Sequence, residues 1–201
     1  MKLSTNPAMH ILAVRDGYAG LIFAPASSGG GLVRIYMPCP VKEKLLQDIR
    51  RRFGRNIVLM TAAKLDSAAA AAAAFLQSYY SGSTQPAAHD AAAKQAQSLL
   101  DWGQVSDFDR QVLQYTAGIA WGRTLTYGQV ARGIGRPGAA RAVGAALGRN
   151  PWPVLIPCHR VLGAGGELTG FSGFGGIAEK KRMLALELLA LNLSRSVPFA
   201  V

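Results

Sequence analysis

The sequence predicts an α/β N-terminal domain, a small sheet plus helices, followed by a mainly helical C-terminal domain with a helix-turn-helix. Three observations carry that expectation. Early in the chain two apolar runs, GYAGLIFAP and GGGLVRIYMP, are separated by SSGGG and read as a hairpin. Helical stretches with recognisable caps come next. In the last third, two short helical stretches flank a glycine-containing breaker, which is the outline of a helix-turn-helix. At 201 residues with half of them apolar, the chain can bury a core as one large domain or two small ones.

After the hairpin a helix is expected around VKEKLLQDIRRRFG. LDSAAAAAAAFLQSYYSG then has Asp66 or Ser67 as N-cap and ends near Gly82, the pattern of a capped alanine-rich helix. The stretch STQPAAHDAAAKQAQS is polar, alanine-rich and without clear apolar periodicity, so it reads as a linker. The expected division is therefore 1–85 for the N-terminal domain, 86–104 for the linker and 105–201 for the C-terminal domain.

In the C-terminal part Ser106 can cap a helix that carries Phe108, Val112 and Leu113 on one face. Thr126 followed by Gln129 fits a capping box, and the short helix it starts ends in the Gly133 to Gly138 region. A second helix begins near Gly138 or Ala139. Its Ala139, Ala140, Ala142, Gly144, Ala145 and Ala146 offer almost no hydrogen-bonding groups, and Arg141 is its one long cationic projection. Such a helix suits either a sequence-indifferent fit into a nucleic-acid groove or tight packing in a core with Arg141 snorkelling to solvent.

Charge bears on that choice. The formal net charge is +11, and between Arg110 and Gly166 seven arginines (Arg110, Arg123, Arg132, Arg136, Arg141, Arg149, Arg160) occur without a lysine or a carboxylate. Guanidinium forks grip phosphates bidentately, which makes nucleic acid the leading partner over a merely solvated basic face. Cys39 and Cys158 lie far apart, so a disulfide framework is not expected. The N-terminus lacks the long apolar region that export needs, and the run Ala68 to Ala74 is far shorter than the ~20 residues of a membrane span. A soluble, cytoplasmic protein without a membrane partner is the expectation.

Chemistry concentrates in IPCHRVLG, where Cys158 and His159 are neighbours. A thiol of pKa ~8.5 is only ~3 % thiolate at neutral pH, so a nearby base could raise the reactive fraction up to about thirtyfold. Adjacent side chains do not naturally face each other, so contact needs a turn or a bridging water. A third group must orient the imidazole, and Glu167, Glu179 and Glu187 are the only acids after Asp109. Glu187 sits in the apolar stretch IAEKKRMLALELLALNL, either at the helix margin or buried with a purpose.

GRNPWPVLIPCHRV, the preceding RPGAARAVG and the following LTGFSG with its downstream glycines, lysine and leucines together resemble the O6-alkylguanine-DNA alkyltransferases, the methylated-DNA–protein-cysteine methyltransferases. The likeness runs from about Asp107 to Glu187, while the first hundred residues match weakly. The resemblance implies stoichiometric transfer of an alkyl group from O6-alkylguanine in double-stranded DNA, with O4-alkylthymine as a second candidate lesion. It implies Cys158 as acceptor, His159 as its base through water, Glu187 fixing the histidine, and Tyr127 protonating the departing guanine at N3. Arg141 would fill the gap left by the flipped base, and Asn150 would be the hinge between recognition helix and active-site loop. Ala139, Ala140, Gly144 and Arg136 would lie on the DNA face. Pro153, Val161, Phe171, Ser172 and Leu147 would form the pocket. An inserted arginine offsets part of the few kcal/mol that base extrusion costs, in keeping with a helix that reads little sequence.

Two departures stand out. Where the family commonly has a tyrosine, a small residue and two glycines, this chain has Phe171 and the longer SGFGG, so one phenolic hydrogen bond is missing. The zinc ligands of some relatives are absent, since Cys39, His10 and His89 make at best a partial set; no metal and no cofactor are expected. A thioether is not among the reversible cysteine states, so each molecule should act once, as a monomer when free. The competing readings are a non-catalytic binder of alkylated-DNA lesions with the same fold, which Cys158 opposes, a cysteine hydrolase and a DNA-binding regulator.

Overall fold

The computed structural model describes residues 6–83, 86–171 and 173–196. Its N-terminal part is built on a mixed four-stranded sheet of order β3-β2-β1-β4, from β1 (Ala8–Val14), β2 (Gly17–Phe23), β3 (Leu32–Cys39) and β4 (Val58–Leu59). The expected hairpin is the antiparallel pair β2–β3. β1, absent from the sequence-based expectation, pairs antiparallel with β2 on its other side, and β4 joins β1 in parallel. The alternation of a strand sends Ala19 and Leu21 of β2 into one core and Ile22 into another. Gly17 turns the chain between β1 and β2 at φ 132°, where a side chain would meet the Cys39 carbonyl.

One face of the sheet is covered by α1 (Lys42–Phe53), through Leu45 and Ile49. The other receives α2 (Ser67–Ser81), whose N-cap Asp66 accepts from the Ala69 N–H at 2.7 Å and whose C-cap Gly82 is left-handed at φ 70°. α2 buries Ala69, Ala72, Ala73, Leu76 and Tyr79, a helical stripe whose small members let it lie close to its neighbours. The stretch expected as a linker carries α3 (Pro86–Ala96) and two 3-10 turns, with Ala93 and Ala96 buried. Its contact face is made of alanine, which a search for large apolar residues at helical spacing passes over.

The C-terminal part begins with α4 (Asp107–Ala117), capped by Ser106 and burying Val112 and Leu113. α5 (Tyr127–Gly133) starts in the expected capping box: Thr126 Oγ1 accepts from the Gln129 N–H at 3.1 Å, and Gln129 Oε1 accepts from the Thr126 N–H at 2.6 Å. α6 (Ala140–Gly148) follows after a glycine-containing turn and buries Val143, Ala146 and Leu147. A two-residue parallel pair, β5 (Leu125–Thr126) and β6 (Val161–Leu162), ties the approach to α5 to the segment after Cys158. α7 (Gly176–Ser196) closes the chain, with Met183 and Glu187 buried and Leu188 and Leu189 exposed.

The larger of the two hydrophobic cores runs from the sheet through α2 into α4, α5 and α6. The join is also polar: Trp152 is fully buried and its Nε1–H donates to the Leu32 carbonyl at 2.7 Å, while the Ile35 N–H donates to the Pro151 carbonyl at 2.8 Å. β3 thus holds the loop that precedes Cys158. Among the described residues no helix is long and apolar enough to cross a membrane.

Candidate active site

The loop from α6 to Cys158 is set by Asn150. Its Nδ2 donates to the Ile156 carbonyl at 3.0 Å and its Oδ1 accepts from the Trp152 N–H at 2.9 Å, so one buried amide spans the turn. Inside that turn Val154 has φ 75°, a conformation that a β-branched residue adopts only under tertiary constraint, at a cost of roughly 1–3 kcal/mol. The chain then delivers Cys158–Arg160 as one turn of 3-10 helix, with Cys158, His159 and Arg160 all buried. The turn alone does not join the two side chains, since His159 Nδ1 makes no hydrogen bond to Cys158, and a bridging water is the remaining link between them.

His159 Nε2 lies 2.7 Å from Glu187 Oε1. Ionised Glu187 can only accept, so the ring proton sits on Nε2 and leaves the Nδ1 lone pair free. Nδ1 has no hydrogen-bond partner among the described residues. Glu187 also takes Arg160 Nε at 2.9 Å and Nη2 at 2.8 Å, the Gly122 N–H at 3.1 Å and the Tyr79 hydroxyl at 3.3 Å. Burial pushes the Glu187 carboxyl up, but the hydrogen bonds and charges of His159 and Arg160 overcome it and bring it down to about 2. Burial lowers His159 despite Glu187, so the ring rests neutral and able to accept a proton. Burial likewise raises the Cys158 thiol, against the pull of Asn150, the Lys180 charge and local backbone N–H groups. The resting pair is therefore thiol and neutral imidazole.

Cys158 opens on a cavity of about 320 Å³ between β3 and the C-terminal part. Leu147, Asn150, Pro153 and Phe171 line it with Cys158, and β3 contributes Met37. Of the residues expected at the pocket, Val161 does not line this cavity: it is fully buried, and its carbonyl accepts from Lys180 Nζ at 2.7 Å. Ser172 lies outside the described residues. Tyr127 stands in a neighbouring groove with Ala140 and Arg141, beside Gly144, where a Cβ would rest 3.6 Å from the ring. Its hydroxyl donates to the Thr169 carbonyl at 3.0 Å, which Lys180 Nζ also approaches at 2.9 Å. Lys180 thus bridges the Tyr127 side to the Cys158 side. Arg141 is exposed, Ala139 and Ala140 are half-buried, and Arg136 is exposed 5.6 Å from the Phe108 ring.

Sequence reasoning gave no role to Tyr79, which no local pattern marks, or to Lys180, although the lysine after Gly175 and Gly176 belongs to the family-like motif, and it counted Arg160 among the arginines that grip phosphates, whereas the side chain is buried on Glu187. Arg160 stands next to His159, however, and its neighbourhood could have pointed to a shared carboxylate. Among the described residues no three His, Cys, Asp or Glu side chains could hold a metal ion together. His10 is bonded to the Met60 carbonyl at 3.0 Å and Cys39 to that of Val41 at 3.3 Å.

Residues 107–189 match the family model described as 6-O-methylguanine DNA methyltransferase, DNA binding domain. A protein from Mycolicibacterium paratuberculosis named methylated-DNA–protein-cysteine methyltransferase is 51% identical over 82 residues, which is 41% of this chain and 48% of that protein. A protein of the same name from Salmonella typhimurium is 50% identical over 80 residues, 40% of this chain and 46% of that one. The matched stretch spans about half the length of these curated relatives. Over the whole fold, the Mycobacterium tuberculosis protein described as OGT in complex with DNA superposes with TM-score 0.61 at 29% identity, covering 91% of this chain and 94% of that one. A variant of the M. tuberculosis O6-methylguanine methyltransferase is 30% identical with TM-score 0.59, covering 90% of this chain and 92% of the other. With its cysteine, histidine and glutamate assembled on that shared fold, this chain belongs to the O6-methylguanine DNA methyltransferase family.

Proposed function

We propose that this protein repairs alkylated DNA by moving the alkyl group of O6-alkylguanine in duplex DNA onto Cys158, once per molecule. One observation carries the reading: a cysteine opens on a cavity, one residue from a buried histidine that a carboxylate holds at 2.7 Å. A thiol that only filled space in the core would not need that apparatus.

In this reading α5, its turn and α6 form a helix-turn-helix, with α6 entering a DNA groove. Residues 105–201 are the DNA-binding and alkyl-acceptor domain, 1–85 the N-terminal domain, and 86–104 the connection that α3 stiffens. Ala139, Ala140 and Gly144 let the backbone approach, Arg136 adds charge, and Arg141 fills the stack when the damaged base is extruded. The base enters between the Tyr127 groove and the cavity lined by Pro153, Phe171 and Leu147. Asn150 braces the loop between helix and acceptor.

His159 Nδ1 takes the Cys158 proton through water. The thiolate attacks the alkyl carbon, and a new S–C bond forms as the C–O6 bond breaks. Tyr127 gives its proton to N3 of the departing guanine, and the proton held by His159 restores the phenol, so charge and protons balance. Electrostatic binding to phosphates makes affinity salt-dependent and largely independent of sequence. No cofactor takes part, and the protein works as a cytoplasmic monomer. The non-catalytic lesion binder is not favoured, because it gives the cysteine and its buried base nothing to do.

The test is incubation with duplex DNA holding one O6-methylguanine, followed by mass mapping of the protein. A methyl group on Cys158 in proportion to lesion lost is expected, with none in Cys158→Ala, which still binds DNA. Several lesions cleared per molecule, or the methyl on Cys39, would sink the proposal.

A further inference from the structure

The N-terminal part reaches into the proton-accepting network at one point. Tyr79, on α2, is fully buried, and its hydroxyl lies 3.3 Å from both Glu187 Oε1 and His159 Nε2. Those two atoms are themselves 2.7 Å apart, so three polar groups form a closed triangle. Because Nε2–H points to Glu187, the phenol proton goes to Glu187 rather than to the ring, and both donors load the same carboxylate oxygen. The ring is fixed edge-on against Trp121 and Tyr80, with centroids 5.5 Å and 5.2 Å away. Trp121 Nε1–H in turn donates to the Glu187 backbone carbonyl at 2.8 Å. Tyr79 is held by packing and aimed by design of its neighbours at the acid end of the Glu187–His159 pair.

We infer that Tyr79 is a positioning residue of the alkyl-acceptor reaction: from the N-terminal part, its hydroxyl sets how strongly Glu187 holds the His159 proton, and so how readily His159 can serve Cys158. The inference rests on the proposed transfer to Cys158. A hydrogen bond to a carboxylate oxygen draws off charge and lessens its attraction for a second proton donor. With the hydroxyl in place, Glu187 orients the ring without trapping it as imidazolium. Without it, the carboxylate grips Nε2–H harder, the imidazolium is favoured and the base is lost over a wider acid range. The first half of the chain then contributes chemistry as well as a scaffold.

The experiment compares the pH dependence of alkyl transfer in the parent protein and in Tyr79→Phe, with O6-methylguanine duplex and with free O6-benzylguanine. Phenylalanine keeps the ring contacts and removes only the hydroxyl. The expected result is an acid limb displaced to higher pH by about three- to tenfold in proton affinity, the same on both substrates. Iodoacetamide labelling of Cys158, read by mass spectrometry, should show the same displacement, and this readout does not depend on repair. In a Glu187→Gln background the effect of Tyr79→Phe should vanish. 3-Fluorotyrosine at position 79, a stronger donor that keeps the hydroxyl, should move the limb the other way, and it serves if Tyr79→Phe fails to fold. Coincident profiles, or an undiminished shift in the Glu187→Gln background, overturn the inference. Absence of transfer in the parent protein would instead overturn the proposed function, and the labelling profile would still judge Tyr79.

Discussion

Replacing Glu187 by glutamine tests the centre of the site most directly. The carboxylate accepts from His159, Arg160, Tyr79 and the Gly122 backbone while only 1% exposed, and Arg160 beside it is 2% exposed. Removing one partner of a buried ion pair costs about 3–5 kcal/mol, because the other charge stays buried without compensation. The amide oxygen can still accept one bond from Arg160, so the lower end, about 3 kcal/mol, is expected. For a chain of this size that is a fall in Tm of roughly 6–12 °C. Transfer should slow by roughly 10²–10⁴-fold, since an amide neither holds the Nε2–H tautomer reliably nor stabilises the imidazolium. Arg160→Met added to Glu187→Gln removes a guanidinium left with only Asp90, 3.9 Å away, as its acid, and should recover part of the stability but none of the rate. Calorimetry and single-turnover transfer measure the two effects separately. A Tm within about a degree of the parent, with a rate within about threefold, would refute the reasoning.

Three other outcomes follow from the same structure. Arg141→Ala should weaken repair in duplex DNA far more than transfer from free O6-benzylguanine, and equal losses on both would remove its role in base extrusion. Thr126→Ala deletes half of a reciprocal cap and should cost about 1 kcal/mol, seen as a Tm lower by roughly 2–4 °C; no change would mean the capping box contributes nothing. Stability should fall steadily on acidification. His159 is lowered by burial, so below about pH 6.5 the unfolded chain takes up a proton the folded one refuses. Glu187 sits at about 2 rather than 4.5, so its contribution is present above pH 4.5 and drains away as pH falls toward 2. Urea midpoints at several pH values read this directly, and a stability maximum in the acid range would contradict it.

Sequence patterns revealed those elements whose ends are chemically marked. Asp66, Ser106 and the Thr126–Gln129 box are caps with short-range hydrogen bonds, so their signal is local, and the structure has each of them. β1 went unseen although its signal is local, since Val14 pairs with Gly17 across the Arg15–Asp16 turn, whereas α3 was hidden because alanines make its contact face. At the site, Cys158 and His159 were legible because a reactive thiol needs a base, whereas Glu187 stood beside Glu167 and Glu179 until the family resemblance singled it out. Tyr79 was not legible, since 80 residues separate it from His159 and only tertiary folding puts its hydroxyl there. Lys180 was hidden for a related reason: its partners are backbone carbonyls of Val161 and Thr169, which carry no residue-type signature.

The protonation state of the resting site bears on why the cysteine is buried at all. A standing thiolate would react fastest, and Asn150, Lys180 and the backbone N–H groups already lean that way. Burial outweighs them and keeps the proton on sulfur. For a catalyst that turns over, this would be a plain loss of rate. For an acceptor that is spent by one transfer the balance differs, because oxidation or stray alkylation of an exposed thiolate would end the molecule's working life. In the proposed transfer, a neutral His159 next to a protonated Cys158 would let the thiolate form only when a base fills the cavity and its alkyl carbon can take the sulfur's electrons. If Cys158 is the single-use acceptor proposed above, burial that slows the isolated thiol protects it, and the Glu187–His159 pair would supply the reactivity that burial withholds.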